Sequence, residues 1–168
     1  DSRLSYRAPA AFSGDVAPLS RPMTPALVLG GPWGTTLGVI RNLGRKGIPA
    51  FAVGTGTSFV SHSRWHHRLP GVSEVAPTPA SLAELLATVR FEQMVLFPCS
   101  DAWVTAIAAL EPDQAARFPA SQASPATIDT LLDKATFAAT LKRLGVPHPR
   151  TVGIGPSDNP AMFPAWAL

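Results

Sequence analysis

Short, uninterrupted apolar runs alternate with segments in which apolar residues recur every three or four positions, and this alternation organises the middle of the chain. Ala26-Leu-Val-Leu29 stops abruptly at Gly30-Gly31, as a buried strand does. Leu37, Ile40 and Leu43 then take up helical spacing until Gly44-Arg-Lys-Gly47 ends it, and Pro49-Ala-Phe-Ala-Val53 reads as the second strand. Thr55 to Arg68 is Gly/Ser/Thr-rich and then aromatic and basic, a loop with a short strand at its end. Ser81-Leu-Ala-Glu84 has the form of a capping box, with Leu82, Leu85, Leu86 and Val89 on one helical face. Gln93-Met-Val-Leu-Phe97 is the next buried strand, closed by Pro98-Cys-Ser-Asp101. Trp103, Ile107 and Leu110 make a further helical face, and Glu111 to Ala123 holds a second short helical piece and a polar turn. Ser124-Pro125 places a cap residue before a proline at the first helical position. In the last segment Phe137, Leu141 and Leu144 share a face, Gly145 suits a left-handed helix end, and Pro147 forbids continuation. Strands alternating with helices predict an α/β fold, a Rossmann-like open parallel sheet flanked by helices.

The two ends break the pattern. Asp1 to Pro25 is rich in Ala, Pro, Ser and Arg without periodicity and reads as a flexible arm. Gly155 to Leu168 carries Pro156, Pro160 and Pro164, which leave little room for regular structure. The start at Asp1, without methionine, is what a processed or excised piece would show. At 168 residues the chain has room for one core-bearing domain but not two large ones. Charged residues make up 15% of it, below the roughly 25% usual for soluble domains. That fits a sheet covered on both faces, or a surface buried against a partner. A lone cysteine, Cys99, permits no internal disulfide. A reducing, cytoplasmic setting is expected. No run approaches the ~20 apolar residues of a membrane span, so no membrane association is expected.

Charge is distributed unevenly. Val16 to Ser73 contains no Asp or Glu, while Arg21, Arg41, Arg45, Lys46, Arg64 and Arg68 lie there. Nucleic acid would call for a denser basic patch with aromatic platforms. A small anion needs less and is the expected ligand of the first half. The glycine-rich turn is the first candidate for chemistry, because glycines after a strand let backbone approach a ligand at a helix N-terminus. Its spacing, Gly-Gly-x-x-Gly-x-x-x-Gly, is neither the dinucleotide pattern nor the phosphate loop. No acid follows Val53 to hold a ribose hydroxyl. A tight turn and nothing more is the plain alternative. Ser63 and Arg64 could position an anionic substrate through the guanidinium fork, or belong to a solvated basic segment. His62 and His66 stand four apart, but Pro70 and the polar loop argue against a helix and so against a metal site. Cys99 reads as a small core residue rather than a nucleophile. Ser100 and Asp101 lie just past a strand's carboxyl end, where open α/β sheets bind ligands, and Asp101 is equally a helix cap. Lys134 enters at a helix's first turn, against the dipole's preference. It is either an anion ligand or an ordinary exposed lysine.

Taken in order, Gly30-Gly…Gly38, Leu43-Gly-Arg-Lys-Gly-Ile-Pro49, Ser63-Arg64, Leu96-Phe-Pro-Cys-Ser-Asp101 and Asp133-Lys134…Gly145-Val-Pro-His-Pro-Arg-Thr151 resemble the N-terminal part of ATP-grasp carboxylate–amine ligases. The likeness is to the D-aspartate ligase and carbamoyl-phosphate-synthase-like group, over about residues 26 to 152. The resemblance implies an arm over 1–25, a Rossmann-like pre-ATP-grasp domain over 26–123, linker helices over 124–152, and the start of the ATP-grasp domain over 153–168. It implies that Lys134 reaches the ATP phosphates and that Gly30, Gly31, Ser63, Arg64, Ser100 and Asp101 face the substrate. Phe163-Pro-Ala-Trp-Ala-Leu168 resembles the beginning of the family's next strand. ATP and Mg²⁺ are expected for the complete enzyme, which phosphorylates a carboxylate so that an amine can attack the acyl phosphate. The family's metal ligands, adenine pocket and second lysine lie downstream. This chain alone is therefore expected to carry no catalytic residue, to bind no cofactor and to be inactive. A homodimer is compatible with the low charge. Two rivals remain at this level, a non-catalytic binding or interaction module and, behind it, a nicotinamide-dependent dehydrogenase domain.

Overall fold

The computed structural model describes residues 23–72 and 74–151. The arm before Met23 and the proline-rich tail, including Phe163 to Leu168, lie outside the described residues. Two compact units are present, 1–122 and 123–168.

The first unit is built on four strands, β1 (Ala26–Leu29), β2 (Ala50–Val53), β3 (His66–His67) and β4 (Val95–Pro98). They form one parallel sheet in the order β3-β2-β1-β4. Every residue of β1 and β2 is buried, as expected when helices cover both faces and the strand reads as a continuous apolar run. The two-residue period sorts their side chains. Leu27, Leu29, Phe51, Val53 and Leu96 point to one core, and Val28, Ala50, Ala52 and Phe97 to the other. The first core is closed by Leu82, Leu85, Leu86 and Val89 at α2 (Pro79–Thr88), and by Trp103, Ala106 and Ile107 of α3 (Asp101–Ala108). The second is closed by Ile40, Leu37 and Leu43 of α1 (Gly34–Arg45), and by Val60 of a 3-10 turn, Phe59–His62. Each fully buried leucine contributes about 2 kcal/mol by leaving water. The fold class matches the α/β reading.

Two cap assignments differ from the sequence reading. The α2 cap is Thr78, whose hydroxyl accepts from the Ser81 amide at 3.2 Å, with Pro79 at the first helical position. The helix therefore starts before the Ser81–Glu84 box. Thr-Pro is the stronger signal, because proline at that position removes a donor the helix cannot use. Likewise Ser100 caps α3, accepting from the Trp103 amide, and Asp101 is the first helical residue. A further helix, α4 (Pro112–Arg117), leads to Pro119, whose carbonyl accepts from the Leu96 amide at 2.9 Å along the outer edge of β4. Arg117 ties this return to the core by donating to the carbonyls of Val89 and Phe91.

The second unit holds α5 (Pro125–Leu132), capped by Ser124, and α6 (Lys134–Arg143), capped by Asp133. Gly145 takes φ +67 just beyond α6, a left-handed helix end open to glycine at no steric cost.

Candidate functional site

Strand order places the site. The chain steps from β1 to β2 on one side, then crosses back to put β4 on the other side of β1. The loops leaving β1 and β4 therefore separate in opposite directions, opening a crevice at the carboxyl ends of these two strands.

Gly30 and Gly31 leave β1 into this crevice. The Gly31 amide donates to Thr36 Oγ1 at 3.2 Å, and Thr36 is fully buried under the turn. A Cβ on Gly30 would run into that Thr36 side chain, and a Cβ on Gly54 would meet the Gly30 carbonyl oxygen. Gly54 also has φ +71. The ends of β1 and β2 thus approach as closely as backbone allows, and both positions require glycine. Trp33 precedes α1 without capping it by a side chain, and the first turn of α1 carries no acid. Its indole lies over Gly31, where an added Cβ would sit 2.8 Å from Nε1, and the residue is 67% exposed. On the other side the Cys99 amide continues the sheet by donating to the Leu29 carbonyl at 2.8 Å.

Gly30, Gly31, Gly54, Cys99 and Ser100 line a cavity of about 310 Å³ here, at the small end of the range for small-molecule sites. The walls are completed by Trp33, Trp103 and the segment that brings Glu74, Val75 and Pro77. Three of the sequence-derived site residues, Gly30, Gly31 and Ser100, therefore share one cavity, and Asp101 stands beside it, exposed at the start of α3. Ser63 and Arg64 are elsewhere. They precede β3, whose His66 pairs with Ala50 at the beginning of β2, so they lie towards the opposite edge of the sheet. The Arg64 guanidinium stacks 4.7 Å over the Trp65 ring, and that ring fills the space beside Gly44 near the end of α1. Two residues that the sequence reading did not select, Trp33 and Glu74, belong to the cavity. For Glu74 a signal existed, since it is the first acid after the long run without one.

The Cys99 thiol is pushed up by burial, with the Thr36 hydroxyl opposing in part, so it stays protonated at neutral pH and is a poor nucleophile. His66 Nε2 lies 3.2 Å from the Thr55 hydroxyl, while His62 Nδ1 faces the Ser58 carbonyl at 3.0 Å. Burial, then the neighbouring Arg68 and His67, hold His66 below its ordinary value, and burial does the same for His67. No group of three or more His, Cys, Asp or Glu among the described residues could hold a metal ion. No described helix is long and apolar enough to cross a membrane.

In the second unit Lys134 is the first residue of α6 and is exposed, with no ion pair among the described residues. The Asp133 carboxylate accepts from the Thr136 amide at 2.6 Å, and this bond holds its carboxyl below the usual range. Lys134 is thus placed where its ammonium can meet an anion from solvent.

No protein-family model matches the sequence, and no curated protein matches it. Among solved structures, the biotin carboxylase domain of a single-chain bacterial carboxylase aligns with 74% of this chain at 19% identity and a TM-score of 0.49. The chain spans 30% of that structure's length. Neither figure assigns the chain to a family.

Proposed function

We propose that this chain forms the N-terminal part of an ATP-dependent ligase that joins a carboxylate to an amine through an acyl phosphate. In this reading the crevice between β1 and β4 supplies the substrate-facing surface, through Gly30, Gly31, Ser100 and Asp101. Lys134 supplies one cation to the ATP phosphates. The observation that carries the reading is the convergence of sequence motif and topology. Two separate pieces of the ligase-like pattern, Gly30-Gly31 and Cys99-Ser100, line one cavity at the point where strand order reverses.

The chemistry divides accordingly. Phosphoryl transfer needs cationic groups around the γ-phosphate, and these act mainly by electrostatic stabilisation. Bound magnesium and ATP would supply the phosphoryl group and most of that charge. What this chain's own residues do is narrower. Gly30 and Gly31 form part of the cavity wall, Ser100 and the α3 terminus can orient a polar group, and Lys134 can neutralise one phosphate oxygen.

The test is ADP release by the product of the reading frame that encodes this chain, with Mg-ATP and a panel of carboxylates and amines. ADP should form only when both substrates are present, with ¹⁸O passing from the labelled carboxylate into phosphate. Lys134→Ala should raise the KM for ATP. ADP formation without ¹⁸O transfer, or no dependence on any carboxylate, would overturn the reading.

A further inference from the structure

We propose that Glu74 selects for a primary ammonium group in the cavity between β1 and β4, with the Trp33 indole as the face against which that cation is held. The inference rests on reading this cavity as a substrate site, and it concerns which substrate group the cavity takes.

The charge of the first half of the chain points the other way. With six Arg and Lys residues and no acid between Val16 and Ser73, an anion would be the expected guest. None of the described cations among them lines the cavity. Arg45 ends α1 and Lys46 follows it ahead of β2, while Arg64 precedes β3, so these three stand towards the amino ends of strands whose neighbours open the crevice at their carboxyl ends. Among the described residues lining the cavity there is no Lys, Arg or His, and the one formally charged side chain is Glu74. The other polar groups are neutral: the Ser100 hydroxyl, the protonated Cys99 thiol and backbone.

Position supports the assignment. Glu74 lines the cavity together with Val75 and Pro77, and its Oε1 lies 3.9 Å from the place a Cβ on Gly56, in the loop after β2, would occupy. Its side chain is exposed, and it makes no ion pair among the described residues. Trp33 lines the same cavity with most of its surface exposed. A carboxylate acceptor and an indole face lining one small cavity suit an ammonium, whose three donors bond the first while its charge rests on the second. Glu84 gives an internal comparison. It lines a separate cavity of about 840 Å³ between α2 and the segment before it, which Glu74 also borders, but not the crevice itself.

The experiment is a titration of the chain followed through the tryptophan indole N–H signals by ¹H–¹⁵N NMR, with the Trp33 signal assigned from Trp33→Phe. L-Alaninamide is the cationic probe, propionamide its neutral counterpart and propionate the anionic one. Alaninamide should shift the Trp33 signal and propionamide should not. Glu74→Gln should weaken the alaninamide response by about tenfold or more, the scale of one charge-assisted hydrogen bond. Glu84→Gln should leave it within about twofold, as expected for a screened charge outside the cavity. Equal losses in both variants, an unchanged response in Glu74→Gln, or no response to alaninamide in the wild type would each overturn the proposal. Propionate reports on the substrate-site reading separately. Shifts of the Gly30 and Gly31 amides with propionate, when alaninamide has no effect, would leave that reading standing while this inference falls.

Discussion

Gly54 concentrates at one residue what the crevice requires. Its φ of +71 lies in the region that side chains rarely adopt, and the space beside it is taken by the Gly30 carbonyl. Gly54→Ala should therefore destabilise the first unit by about 2 kcal/mol or more, since left-handed strain alone costs 1–2 kcal/mol and the contact adds to it. Urea unfolding followed by tryptophan fluorescence measures this, and a change under 0.5 kcal/mol would show that the turn has another conformation. Gly47, also at positive φ (+74), has open space around it and should lose only the conformational part. None of this difference is legible in the sequence, where both read simply as glycine at the end of an element.

At the scale of elements, caps decide where helices begin, and cap chemistry makes one of them sensitive to acid. The Asp133 carboxyl is held below its ordinary value by the Thr136 amide, so its folded form prefers the charged state. Its stabilisation of α6 is present above the unfolded carboxyl pKa, near 3.9, and is lost as pH falls through the lower folded value. Circular dichroism should show a loss of helix below about pH 4. Asp133→Asn should make that loss smaller, because an amide caps without titrating. An unchanged acid transition in the variant would remove Asp133 as its cause. The helices themselves were readable from apolar spacing. Their first residues were less so, because Ser81, Glu84, Thr78 and Pro79 offer two competing starts within seven residues. Only the hydrogen bond from Ser81 to Thr78 chooses between them.

For the molecule as a whole, the histidines of β3 link stability to pH. Burial depresses both His66 and His67, with Arg68 and His67 adding to the effect on His66. The folded state therefore resists protons that the unfolded chain accepts near pH 6.5. Stability is fully present above that value and declines as pH falls through it towards the folded values. The melting temperature of the first unit should drop between pH 7.5 and 5.5, and a His66→Asn, His67→Asn double variant should flatten the dependence. A variant as pH-sensitive as the wild type would place the effect elsewhere. Both residues sit on the edge strand of the sheet, where closing one more pairing leaves them only partly buried.

Local pattern was enough to determine the alternation of buried strands and amphipathic helices, and hence the α/β class. Apolar periodicity is a property of neighbouring residues and needs no knowledge of distant ones. It also marked Gly30, Gly31 and Ser100, because strand ends and helix starts are local events. The tertiary structure decided what those residues meet. Strand order carried Arg64 away from the crevice and brought Glu74 into it, since a parallel crossover moves residues adjacent in sequence to opposite edges of a sheet. Charge counted along the chain pointed to an anion. Among the described residues that the fold gathers round the cavity, one carries a formal charge, and it is a carboxylate.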